Sequence, residues 1–402
     1  MTMILNDSIV TNNFSQAYPA INKYMIENAS FQYSRNGDTK EILDFKTKIT
    51  NPYRRCVGNN GRNINIFFLM SEAMWIFAGK KDLKTLEIFN SQMAEYSDDK
   101  ESFHAPYGFR IRHAGLSSFD KTAMPITEEN AHAVSMNDEG RDQMLDALIE
   151  LDANSETRQV VLQIWNQELD LSTKTKDKPC NDIVFLKIRE GKLITTIGNR
   201  SNDLHWGLPT NVYQFSFQAE IMSNILGISM GTQTHNSHSL HFYLANPIAD
   251  NMYENLQFNP EFEDLYDVSK TENINFLFEK EQTIEGKLST VDYCLNTILK
   301  SFLDGEPLDE TLDYIIRNIC PTIMKYHDLC HVYLSYKMNP NKTDLLRMEK
   351  IEKIYELSIR GVENKLNHIP LDIEVLAQNF FISRVKDSSI LQDNKIFSKN
   401  SF

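Results

Sequence analysis

The chain has 402 residues, of which 41% are hydrophobic and 24% charged, enough for a large buried core or for two average domains. A formal net charge of −14 argues against a broad nucleic-acid-binding face but leaves room for a local basic pocket that holds one small anion. The five cysteines are scattered rather than densely spaced, which excludes a disulfide scaffold, and no apolar run approaches the roughly 20 residues of a membrane span. The start, MTMILNDSIV, lacks the pattern of a signal peptide, so a reducing cytoplasmic setting is expected, with no membrane partner and no direct nucleic-acid binding.

The segment KEILDFKTKIT (40–50) alternates apolar and polar residues as a half-buried strand does, and NPYRRCVGNNG (51–61) is turn material. NINIFFLMSEAMWIFAG (63–79) reads as a buried helix ending at Gly79, and RDQMLDALIELDAN (141–154) as an amphipathic one. VVLQIW (160–165), IVFLKI (183–188) and KLITTIGN (192–199) read as strands, the last two joined by a tight Arg-Glu-Gly turn. VYQFSFQAEIMSNILG (212–227) has helix length, and SLHFYL (239–244) is strand-like. The interleaving indicates a mixed α/β domain over 1–255. Beyond it, YCLNTILKSFL (293–303), LDETLDYIIRNI (308–319) and a Thr343-capped run (343–366) are helical by period, giving a mainly helical extension over 256–402.

Several polar residues sit where packing alone would want apolar ones. Glu72 lies on an otherwise apolar helix, where an unpaired carboxylate is costly and needs a partner or a role. Cys180 opens one strand and Arg200 closes the next, so a hairpin turning near Gly191 brings them together, and a nearby cation favours thiolate. Read alone, Cys180 is more readily a small hydrophobe that starts the strand than an exposed nucleophile. Arg200-Ser201 offers a guanidinium fork and a hydroxyl suited to phosphate. Asn211 is either the cap of the following helix or an amide that reads a base edge. His241 and Tyr243 alternate on one strand face, as a core pair or as two groups aimed at one ligand. Cys320, His327, Cys330 and His331 do not match a common zinc spacing, and DLCHVY reads as one helix with mixed faces; no metal is expected.

The block KPCNDIVFLKIREGKLITTIGNRSNDLHWGLPTN (178–211) resembles the active-site block of the thymidylate synthases and related deoxypyrimidine nucleotide hydroxymethylases. SRNG (34–37), SEAMWIFAG (71–79), APYGFRIR (105–112), ETRQVVLQIWN (156–166) and SLHFY (239–243) agree with the same family in the same order. The resemblance implies an α/β (α+β) fold with a large bent mixed sheet and flanking helices, paired through that sheet as a homodimer. It implies Cys180 as the nucleophile toward C6 of a pyrimidine, with Arg35, Arg200 and Ser201 on phosphate and Arg158 reaching the neighbouring subunit's site. It further implies Asn211 on the base, His241 and Tyr243 on the deoxyribose, and Glu72 and Tyr107 in a proton relay. Asp203 and Glu72 are implied contacts to the cofactor, 5,10-methylenetetrahydrofolate.

Five features depart from the family pattern. Gln159 stands where a second phosphate-binding arginine is usual, Asn181 replaces the histidine after the nucleophile, and Asn199 replaces the glutamine before Arg-Ser. No tryptophan occurs between Trp75 and Trp165, and the chain ends in IFSKNSF where the methylating enzymes resemble one another in a short apolar terminus. The last two ease water entry and point to hydroxymethylation. Relatives acting on dCMP carry Asp at the position of Asn211, so the amide points to dUMP. The expected activity is therefore transfer of a one-carbon unit to C5 of dUMP, giving 5-hydroxymethyl-dUMP. The alternatives are reductive methylation to dTMP and a catalytically silent nucleotide- or partner-binding relative.

Overall fold

The computed structural model describes residues 4–34, 36–58, 62, 64–115, 140–246, 265–271, 273–360 and 369–386. Among them, nine strands form one mixed sheet in the order β1-β2-β4-β9-β7-β6-β5, with β3 paired to β4 and β8 to β9. The strands are β1 (Ile4–Leu5), β2 (Ser8–Thr11), β3 (Ser30–Gln32), β4 (Thr39–Ile49), β5 (Val161–Gln163), β6 (Asn181–Arg189), β7 (Lys192–Asn199), β8 (Asn202–Asp203) and β9 (Ser229–Tyr243). The alternation over 40–50 does make a strand, with Phe45, Thr47 and Ile49 buried. The β6–β7 hairpin turns through Glu190 and Gly191, both at positive φ (53° and 66°), the geometry of a tight two-residue turn.

Two sequence expectations fall short at β9 and β5. β9 starts ten residues before Ser239, directly after a helix, because its first half carries Gln233, Thr234, His235 and Ser237 buried between β4 and β7. Polar residues that are buried give no apolar alternation to read. β5 is shorter than VVLQIW, ending at Gln163.

Helix α1 (Phe14–Asn28), disguised in the sequence by the internal Pro19, is capped by Asn13, which accepts from the Ser15 amide at 2.9 Å. α2 (Ile66–Phe77) starts at Asn65, whose side chain accepts from the Phe68 amide at 3.2 Å, and the chain leaves it through Gly79 at φ 65°. The short α3 (Leu83–Phe89) and α4 (Tyr107–Arg112) follow, and α5 (Gln143–Ala153), capped by Asp142, matches the amphipathic run. After α6 (Gln167–Asp170) comes α7 (Gly207–Leu226), which has 16 of its 20 residues buried and so packs on all sides. It begins at Gly207, ahead of the expected Val212, so Asn211 lies inside the helix and does not cap it.

The expected helical region follows the short α8 (Leu265–Val268) as α9 (Ile284–Asp304), α10 (Glu310–Ile319), α11 (Pro321–Met338), α12 (Asp344–Ser358) and α13 (Asp372–Ile382). The Thr343 cap is present, accepting from the Leu346 amide at 3.2 Å; residues 361–366, the tail of the run expected to be helical, lie outside the described residues. These helices share one core with the rest of the chain. Tyr333 stacks on Phe67 with centroids 4.8 Å apart, the Tyr213 hydroxyl donates to that of Tyr326 at 3.1 Å, and Arg112 clasps Asp292 at 2.7 and 2.9 Å. Among the described residues no helix is long and apolar enough to cross a membrane.

One buried ion pair ties three parts of the chain. Arg55 meets Glu220 of α7 at 2.5 Å with both side chains out of solvent, and the other Glu220 oxygen accepts from the Ile274 amide at 2.6 Å. Replacing Glu220 by Leu leaves the Arg55 charge buried without its carboxylate, and should cost about 3–5 kcal/mol in denaturant unfolding, much of it recovered in the Arg55→Met/Glu220→Leu double variant.

Candidate active site

The β6–β7 hairpin does what its sequence implies. Asn181 faces Asn199 across it, and the Arg200 amide donates to the Cys180 carbonyl at 3.0 Å. The Arg200 guanidinium folds over the same loop, donating to Pro179 O at 2.7 Å and Lys178 O at 3.2 Å and lying 3.6 Å from Cys180 Sγ. Its charge acts on the thiol in the expected direction, yet the outcome differs. Burial pushes the Cys180 thiol up, Arg200 only partly offsets it, and the carboxylates of Asp177, Asp182 and Asp203 add to the rise. Without a ligand the thiol therefore rests protonated. Ser201 lies beside Arg200, half-buried.

α2 and α4 bring two proton-bearing groups to this thiol. Burial holds the Glu72 carboxyl at a pKa of about 8, the one opposing effect being a hydrogen bond with Gln214 of α7, and its Oε2 has no partner among the described residues. Tyr107 opens α4. Burial raises its hydroxyl well above the usual value, with the charges of Cys180, Asp177 and Glu72 adding, while a hydrogen bond to the Cys180 backbone opposes them. α4 approaches closely because residue 108 is glycine: a Cβ there would lie 1.8 Å from the Ile76 carbonyl oxygen. Arg110 then locks α4 through both guanidinium nitrogens to Asp170, each at 3.0 Å. Burial pushes the Asp170 carboxyl up, but Arg110, the Asn166 amide and His104 more than offset it and leave it below the usual carboxylate range.

Asn211, on the second turn of α7, is nearly fully buried and joined to other amides: its oxygen accepts from Asn181 at 3.0 Å and its nitrogen donates to Asn202 at 3.1 Å. Asp203 pairs with His241 between β8 and β9, and its Oδ1 accepts from the His205 and Trp206 amides, both at 2.7 Å. His241 and Tyr243 share one face of β9 with ring centroids 5.5 Å apart, while Leu240 and Phe242 turn inward.

Not every expected residue joins this cluster. Arg158 is exposed just before β5 and has no hydrogen-bond or ion-pair partner among the described residues, and Arg35 lies outside them. Sequence reasoning missed Tyr96, in the segment lacking the family's tryptophan. Its hydroxyl is raised first by burial and then by the charges of Glu95, Asp203, Tyr243 and Cys180, which places it within electrostatic reach of the thiol although it is 53% exposed. The missing tryptophan was the signal. In the extension, the Cys330 thiol donates to Phe67 O at 3.8 Å, the His331 ring nitrogen meets the Ser301 hydroxyl at 3.1 Å, and the Leu308 amide donates to His327 at 3.4 Å.

Residues 16–284 match the family model described as thymidylate synthase, and the chain belongs to that family. Among curated relatives it is 37% identical over 233 residues to a deoxyuridylate hydroxymethyltransferase of Bacillus phage SP01, covering 57% of each chain. A protein of the same name from Pseudomonas phage M6 is 30% identical over 241 residues, 58% of this chain and 61% of the relative. A putative thymidylate synthase of Methanothermobacter marburgensis is 25% identical over 235 residues, 56% of this chain and 87% of the relative. The chain thus spans well under two thirds of the length of the two phage relatives.

The Glu72 carboxyl gives a pH signature with a definite sign. Between its ordinary value of 4.5 and its folded value of about 8 the native state keeps a proton that the unfolded chain loses, so stability falls as pH rises through that window and levels off above it. Glu72→Gln should flatten that segment of a plot of unfolding free energy, from urea titrations, against pH by up to about 1.4 kcal/mol per pH unit. Gly108→Ala should push α4 off α2, lowering stability by about 1–3 kcal/mol and turnover with it, in paired melting and rate measurements.

Proposed function

We propose that the protein transfers a one-carbon unit from 5,10-methylenetetrahydrofolate to C5 of dUMP through a covalent adduct at Cys180, giving 5-hydroxymethyl-dUMP. The observation that carries this reading is Arg200 held 3.6 Å from Cys180 Sγ, in one constellation with Asn211, Glu72 and Tyr107. The names of the phage relatives support dUMP as substrate and hydroxymethyl as product.

Arg200 and Ser201, with Arg35, bind the phosphate, and its dianion draws the guanidinium toward a site that also holds the thiol. Cys180 gives up its proton and Sγ adds to C6, while the C5–C6 electron pair moves onto O4 as an enolate. Asn211 donates to O4 and accepts from N3–H, which stabilises that charge in a site from which water is largely excluded. His241 and Tyr243 hold the 3′-hydroxyl. Glu72 and Asp203 suit a folate: the protonated Glu72 carboxyl, with a partnerless oxygen among the described residues, offers a donor to its polar ring edge, and the Asp203 carboxyl offers an acceptor. When bound, the folate supplies carbon at the formaldehyde oxidation level. Glu72 and Tyr107 then move protons at O4 and at C5, and Cys180 leaves C6 once a water has added at the exocyclic carbon. Tyr96, in the segment that lacks the family's tryptophan, puts a half-exposed polar side chain within electrostatic reach of the thiol, which supports entry of that water.

Reductive methylation to dTMP is the second reading, favoured by the matched relative named as a putative thymidylate synthase. The two part company in the folate product: hydroxymethylation regenerates tetrahydrofolate, whereas methylation yields dihydrofolate in step with nucleotide. With dUMP and methylenetetrahydrofolate the protein should give a product heavier than dUMP by CH2O, a hydroxymethyl group in place of the C5 hydrogen, and no dihydrofolate. Stoichiometric dihydrofolate would reverse the assignment.

We assign a homodimer in which Arg158 completes the neighbouring site. Its exposed, partnerless state and the exposed Val161 and Phe185 on the same part of the sheet support this. Cys180→Ala should lose at least about a thousandfold in turnover. Mixed and re-associated with the equally weak Arg158→Ala variant, it should regain up to about a quarter of wild-type activity, since half the molecules become heterodimers with one intact site. No recovery on mixing would remove Arg158 from the partner's site.

A further inference from the structure

The departures at residues 181 and 199 are not isolated. A chain of side-chain amides runs one way across four elements: Asn199 Nδ2 donates to Asn181 Oδ1, Asn181 Nδ2 to Asn211 Oδ1 at 3.0 Å, Asn211 Nδ2 to Asn202 Oδ1 at 3.1 Å, and Asn202 Nδ2 to Ser237 Oγ at 3.1 Å. Asn181 and Asn199 are completely buried, Asn202 is 1% exposed and Asn211 6%, so water cannot satisfy an amide turned the wrong way.

The direction of this chain decides what Asn211 can read. A free asparagine amide discriminates poorly, because turning it over exchanges donor and acceptor. With nitrogen toward position 4 and oxygen toward position 3 it matches O4 and N3–H of uracil; turned over, it matches the amino group and bare N3 of cytosine. In the chain, turning Asn211 alone sets nitrogen against nitrogen at Asn181 and oxygen against oxygen at Asn202. Turning every amide together is opposed at Asn202. Its oxygen lies where a Cβ on Gly207, the first residue of α7, would come within 2.7 Å of it, and the positive end of a 20-residue helix favours oxygen over N–H there.

We infer that Asn181, backed by Asn199, is a specificity-positioning residue: by donating to Asn211 Oδ1 it locks the amide in the orientation that accepts uracil and rejects cytosine. The inference rests on the dUMP reading above and deepens it. Asn181 itself need not touch the base; it acts through Asn211.

The test is equilibrium binding of dUMP and of dCMP to the full chain without folate, by calorimetry, with thermal melts to establish folding. Wild-type protein should prefer dUMP. Asn181→Asp, which can only accept, and Asn181→Ala, which carries no charge into the interior, should each reduce the dUMP:dCMP affinity ratio by about tenfold or more. Asn181→His restores an N–H donor and should recover the ratio, which a purely structural defect would not predict. A folded Asp or Ala variant that keeps the wild-type ratio overturns the inference and leaves the dUMP reading standing. So does equal loss of both nucleotides with the ratio unchanged. A wild-type protein with no preference for dUMP overturns the reading and the inference together.

Discussion

Helix α7 passes through the middle of the protein with almost no free surface, and most of the site is arranged around that constraint. The sheet lies against one side and the later helices against the other, so a polar residue on α7 must find a partner from another element. Glu220 finds Arg55 and the Ile274 amide, Asn224 accepts from the Phe276 amide, and Gln214 reaches Glu72. Asn211 finds Asn181 and Asn202. The contacts of Gln214 and Asn211 also fix groups of the site, and the rigidity of Asn211 follows from the burial of the element that carries it.

The same packing explains why the helices after residue 284 belong with the site. They contribute Tyr326 behind α7, and Tyr333, Phe380 and Phe381 around Phe67 of α2. α2 carries Glu72 on its other side. A carboxyl kept protonated near neutrality depends on a dry, well-packed surround, and part of that surround comes from the far end of the chain. Arg112, the last residue of α4, is held in the same way by Asp292 of α9.

Much of the fold was legible because its elements obey local rules. α2 and α5 carry their caps and periodicity, β4, β6 and β7 alternate or run apolar, and the Glu190–Gly191 turn demands a hairpin. Elements that escaped are those whose local signal is contradicted by burial: α1 with Pro19 inside it, the first half of β9 with Gln233 and His235 in the core, and the first turn of α7 beneath Gly207 and Pro209. The polar residues there give no apolar periodicity to read, yet they are paired side chains within regular structure. The site divides in the same way. Cys180 and Arg200 could be paired from the hairpin alone, whereas Tyr96 could not be placed, since nothing local to its segment says which side chains it faces.

The sequence by itself determined the family, the order of the site motifs and the chemical types brought together at the site: a thiol, a guanidinium, an amide and a carboxyl. Those follow from residue identity and short-range spacing. Only the tertiary structure decided their states. The Cys180 thiol is held protonated despite Arg200, Glu72 sits near a pKa of 8, and Asn211 is oriented by three other asparagines. Protonation and amide orientation depend on solvent exclusion and on neighbours distant in sequence, and those exist only once the chain has closed around α7.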